Sequence, residues 1–82
     1  MSYNTHKRFA LDATKPLPHR ASHARSCTVH VASQLHVPRS EIIQRVKSLS
    51  GIDLMTVSTD EDLHRALVCL DGLRLPPMKH DA

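Results

Sequence analysis

Apolar residues recur with a helical period twice between Val29 and Leu49, and only a few residues separate the two stretches. Val31, Ala32 and Leu35 fall at i, i+1 and i+4, one face of a short helix. Val37 follows in the turn. Ile42, Val46 and Leu49 fall at i, i+4 and i+7, an apolar stripe on a second helix. Ala32 is small, as a steep helix crossing requires. The pattern predicts a helix-turn-helix in which helix 39–50 turns its outer face to a partner.

Punctuation residues set the expected boundaries. Pro38 marks the turn or the first turn of the second helix, where a missing N–H costs nothing. Ser40 is the expected cap, with Glu41 near the positive helix end, and Gly51 is the expected stop. Residues 52–57, IDLMTV, read as a short strand. Ser58 or Thr59 then caps a helix over 60–72, with Asp60, Glu61 and Asp62 in its first turn and Gly72 at its end. Leu63, Leu67 and Leu70 form its inner stripe, with Ala66 beside them. CTVHV, from Cys27, reads as a short strand or as the lead-in to the first helix.

Residues 1–26 read differently. They hold Pro16, Pro18, five basic residues and three histidines, with few aliphatics. KRFALDA suits a short strand or helix, which KPLPHR ends. The expectation is a flexible basic arm that orders on a partner, or a leader without function. The expected fold is therefore mainly α (small α+β): a helix-turn-helix, a short strand and a C-terminal helix in a domain at 27–75, with an arm at 1–26 and a tail at 76–82.

Composition narrows the choice. Eighty-two residues make one small domain, and with no Trp, one Phe (Phe9) and one Tyr (Tyr3) its core must be aliphatic. Scarce aromatics also argue against base-stacking platforms. Residues 1–50 carry eight of the 11 Lys and Arg and two of the eight acids, so the basic charge is concentrated there. That half suits an anionic partner, or is a solvated basic end. Cys27 and Cys69 match no disulfide framework, and no apolar run approaches a membrane span or a secretory leader. A cytoplasmic protein with no membrane partner is expected, with Cys69 as an inert core residue.

Four residues raise the question of metal. His19, His23, Cys27 and His30 follow H-x3-H-x3-C-x2-H, which on a helix is a stripe about 16 Å long. One tetrahedral zinc reaches only adjacent members unless the chain folds back, and structural sites usually draw ligands from two elements. No metal and no cofactor are expected. Asp60, Glu61 and Asp62 are explained by the helix dipole. With two glycines there is no phosphate-cradling loop, and no nucleophile stands beside a base, so neither an enzyme nor a small-molecule substrate is expected.

The candidate site is the outer face of helix 39–50. Arg39, Gln44, Arg45, Lys47 and Ser48 project away from the apolar stripe. Arg and Gln make bidentate contacts to base edges, and Lys suits phosphates. Lys7, Arg8, Lys15, Arg20 and Arg25 of the arm are expected to add phosphate contacts. The expected partner is nucleic acid, DNA or RNA, with a homodimer if the target is duplex DNA.

Three resemblances accompany this reading. Ala32, Leu35, His36, Val37, Ile42, Val46 and Leu49 resemble the helix-turn-helix of LysR-type regulators over about 20 residues, with His36 at the glycine-like turn position. VHVASQLHV, EIIQRVKSL, GIDL and STDEDLHRAL, over residues 29–67, resemble the small N-terminal module of bacterial translation initiation factor two. The match departs at Ser50, an extra residue before Gly51. It implies an RNA- or ribosome-associated helical module. LMTVSTDEDLHRALVCL resembles the acidic end of Phox-and-Bem interaction domains, without one strand of that fold. That resemblance implies a protein-interaction module acting through Asp60, Glu61 and Asp62.

Overall fold

Pro16 and Pro18 do not interrupt a helix; they begin one. The computed structural model describes residues 1–74, which form four helices: α1 (Tyr3–Ala10), α2 (Leu17–Leu35), α3 (Arg39–Ser50) and α4 (Asp60–Leu73). Pro16 is the cap residue of α2, and Pro18 lies in its first turn, where backbone N–H groups have no helical acceptor to lose. The mainly helical class is as expected. The domain boundary at residue 27 is not, because it falls in the middle of α2. The tail at 76–82 lies outside the described residues.

α2 is the central element and packs against the other three. Its buried face is Arg20, Ala21, Ala24, Cys27, Thr28, Val31 and Ala32, a wide stripe at helical spacing. α1 runs antiparallel to it: the Cys27 thiol approaches the Tyr3 carbonyl at 3.7 Å, and Arg20 Nε donates to the Ala10 carbonyl at 2.8 Å. Residues 1–26 are thus not an arm separate from the domain. Tyr3, Ala10, Ala21 and Ala24 belong to the buried core, because small side chains on both helices let the backbones approach closely. α1 also meets α4. The Asp71 carboxylate accepts from the Tyr3 hydroxyl and pairs with Lys7, and the Arg74 guanidinium lies over the Tyr3 ring, 3.9 Å from its centroid. Burial, reinforced by Asp71, holds the Tyr3 phenol well above its ordinary value.

α2 ends in a left-handed residue, His36 (φ 57°). Val37 N–H donates to the Ala32 carbonyl at 3.1 Å and His36 N–H to Ser33 at 3.3 Å, the paired bonds of a Schellman turn. Pro38 then starts α3 directly, so the expected Ser40 cap is replaced by a cap residue without a side-chain bond. Gly51 (φ 78°) ends α3 as expected. Thr59, one of the two expected caps, accepts from Asp62 N–H at 3.1 Å at the start of α4. Gly72 does not end that helix, which continues to Leu73.

The short strand expected at 52–57 is absent. Among the described residues there is no strand, and a lone extended segment has nothing with which to pair. Asp53 instead organises a turn: its side chain accepts from Met55 N–H at 2.9 Å and its carbonyl from Thr56 N–H at 3.1 Å. Ile52 and Leu54 still point inward and are buried. They join Val31, Ile42, Val46, Leu63, Leu67 and Leu70 in an aliphatic core. Among the described residues, no helix is long and apolar enough to cross a membrane.

Two substitutions test this architecture. Arg20 is buried and ties the end of α1 to Asp60 at the start of α4. Arg20→Ala should therefore cost about 2–3 kcal/mol in urea denaturation, whereas Arg8→Ala on the exposed face of α1 should change stability by less than about 0.5 kcal/mol. His36→Gly should raise stability by about 1 kcal/mol, by removing a left-handed Cβ. Equal midpoints for Arg20→Ala and the native chain would contradict the buried role of Arg20.

Candidate nucleic-acid interface

α3 is held by few side chains. Ile42 and Val46 are fully buried, and Ile43 is half-buried. Leu49, expected as the third member of the inner stripe, is 69% exposed instead. Gly51 ends α3 in a left-handed conformation, and the buried apolar residues that follow it are Ile52 and Leu54.

The opposite side carries the expected recognition residues. Arg39, Gln44, Arg45, Lys47 and Ser48 are all exposed. Arg39, Ser40, Ile43, Gln44 and Lys47 border one shallow depression, with Asp53 and Met55 at its far edge. Among the described residues neither Arg39 nor Lys47 has an ion-pair partner. Arg45 pairs with Glu41 one turn earlier. An exposed i, i+4 pair of this kind is worth about 0.3–0.5 kcal/mol, which an incoming phosphate can replace.

The five basic residues of the first 26 separate into two groups. Arg20 is a correction: it is buried, donating to Ala10 and Asp60, and is not available for a phosphate. Lys7 is paired with Asp71, and half-buried Arg25 donates to the Leu54 carbonyl at 3.3 Å. Arg20 and Lys7 tie helices together, and Arg25 ties α2 to the segment between α3 and α4. Arg8 and Lys15 are exposed, with Arg8 lying 5.9 Å over the Phe9 ring. The acidic trio is also partly committed. Asp60 pairs with Arg20, and Asp62 pairs with Arg65 at 3.7 Å while its amide is bound by the Thr59 cap.

Cys27, one of the four candidate metal ligands, is fully buried, and burial pushes its thiol up to about 12, far from the ligating thiolate. The sequence pattern missed His6. It comes from α1, and its Nδ1 lies 3.0 Å from Nδ1 of His23. Only the antiparallel return of α1 brings these rings together.

No protein-family model, curated protein or solved structure matches the chain.

The cysteines give a direct check on the packing. Cys69 is half-buried on α4, with its thiol raised by burial, and Cys27 is sealed between α1 and α2. Brief alkylation of the native chain at neutral pH, read by peptide mass mapping, should label Cys69 before Cys27. Labelling of Cys27 first would show that α1 does not cover it.

Proposed function

We propose that this protein binds nucleic acid through the exposed side of α3, as a DNA-binding regulator or an RNA- or ribosome-associated factor. The observation that carries the reading is the depression bordered by Arg39, Gln44 and Lys47, whose two cations have no ion-pair partner among the described residues. Unpaired cations beside a side-chain amide offer phosphate contacts and a base-edge contact on one surface. Arg45 and Ser48 extend that surface along the helix. Arg8 and Lys15 supply further phosphate contacts if the ligand reaches α1. The short Schellman turn supports this use of α3, because it fixes the helix start against α2 without a loose linker.

The protein-interaction reading through Asp60, Glu61 and Asp62 has less support. The strand that precedes such a loop in Phox-and-Bem domains corresponds here to the Asp53 turn, and two of the three acids already serve internal pairs.

Fluorescence anisotropy against a mixed-sequence DNA duplex and against ribosomal RNA tests the proposal. Affinity for at least one of them should fall steeply with salt, and Lys47→Ala should reduce the salt slope by about 1. Arg45→Ala should cost about 1–3 kcal/mol where it reads a base and relax specificity there. Salt-independent affinity that Arg39→Ala and Lys47→Ala leave unchanged would reject α3 as the interface. Amide shifts confined to 58–65 on adding a basic protein would favour the acidic-loop reading instead.

A further inference from the structure

The imidazoles along α2 gain a partner on a second element. His6 of α1 faces His23 of α2 with the two Nδ1 atoms 3.0 Å apart. Their ring centroids are 5.2 Å apart; His30 lies 5.6 Å from His6, and His19 lies 4.9 Å from His23. Phe9 stacks on His23 at 5.0 Å and fixes the plane of that ring. Two imidazoles on one tetrahedral ion, each nitrogen about 2.0–2.1 Å from it, hold their donor atoms about 3.3 Å apart. The His6–His23 spacing is within a few tenths of an ångström of that value.

We propose that His6 and His23 form a two-imidazole site for a borderline divalent ion of the zinc or copper(II) kind, bridging α1 and α2. Imidazole nitrogens select such ions over magnesium or calcium, which prefer oxygen. Among the described residues, no group of three His, Cys, Asp or Glu side chains is placed to hold a metal jointly. The site is therefore bidentate, and solvent completes the coordination sphere. His30 and His19 flank it as further imidazoles.

An imidazole ligates through an unprotonated ring nitrogen, so each ring must present a lone pair to the ion. In the hydrogen-bonded pair one Nδ1 carries the shared proton. On ligation that proton moves through solvent to Nε2 of the same ring. Both Nδ1 lone pairs then face the ion, and the neutral pair releases no net proton.

Calorimetric titration of the full chain with Zn2+ at neutral pH, with the histidine ring signals followed by NMR, tests the site. One saturable site should appear, with the ring signals of His6 and His23 shifted. His6→Gln and His23→Gln should each weaken it by at least the loss seen when an outer-shell partner is removed, roughly 10–100-fold. His36→Gln and His64→Gln, on exposed positions elsewhere, should leave it unchanged. Zn2+ should raise the Tm of the native chain and not that of His6→Gln. If His6→Gln loses its helical circular dichroism, His23→Gln carries the same comparison. Native affinity in both His6→Gln and His23→Gln, or no saturable uptake by the native chain, would overturn the proposal. Neither result depends on whether α3 binds nucleic acid.

Discussion

Everything in this fold depends on how closely α1 and α2 approach. The chain has two aromatic side chains, so it cannot fill space between distant helices with large rings. It uses small ones instead. Ala10, Ala24 and Cys27 are fully buried at or beside the α1–α2 contact, and Tyr3 closes one end of it. Close backbone approach gains dispersion contacts that larger, looser packing would lose. With α1 seated, α2 is covered on that side and presents Val31 and Ala32 to the remaining helices. The aliphatic group formed by Ile42, Val46, Leu54, Leu63, Leu67 and Leu70 then has a wall to pack against.

Arg20 shows how charge enters this arrangement. A guanidinium is tolerated inside when its donors are satisfied, and here they meet the last carbonyl of α1 and the first carboxylate of α4. The cation sits at the negative end of one helix, and Asp60 at the positive end of another, so both dipoles favour the pair. Lys7 pairs with Asp71 and so also ties α1 to α4, although Asp71 lies in the last turn of α4, where the dipole does not favour an acid. The effect on the surface is a redistribution of charge. Basic residues of the first 26 are drawn into internal pairs along with acids of α4. Arg39 and Lys47 of α3 are left among the exposed cations, as are Arg8 and Lys15.

Large aliphatics at helical spacing made α3 and α4 legible in the sequence. Ile42 and Val46, and Leu63, Leu67 and Leu70, carry the period plainly, while Gly51 marks one boundary by its left-handed backbone and Thr59 another by its capping hydroxyl. Most of α2 was hidden because its buried stripe is Arg20, Ala21, Ala24, Cys27, Thr28, Val31 and Ala32, in which only Val31 is a large aliphatic. Pro16 and Pro18 read as breakers because the same residue both ends and begins helices, and the sequence does not say which. Ile52 and Leu54 gave a strand-like alternation, yet burial at every second residue arises equally in a turn that dips twice into a core. The candidate site was legible as a row of residue types on α3. Whether a given cation is free was not, since that depends on partners 40 residues away for Arg20 and 64 residues away for Lys7.

The small core also determines how the two surfaces relate. Seven fully buried aliphatics, Val31, Ile42, Val46, Leu54, Leu63, Leu67 and Leu70, make a small core, and a domain of this size is only marginally stable. In such a molecule a ligand acts on the fold as well as on its own site, because any species bound only by the folded state adds to stability in proportion to the logarithm of its concentration over Kd. An ion across His6 and His23 would act on the α1–α2 contact, the one on which the core is built. A polyanion on α3 would act at the other end of α2, beyond the His36 turn. The two sites lie on different neighbours of α2, so each ligand would stabilise the same folded chain without touching the other.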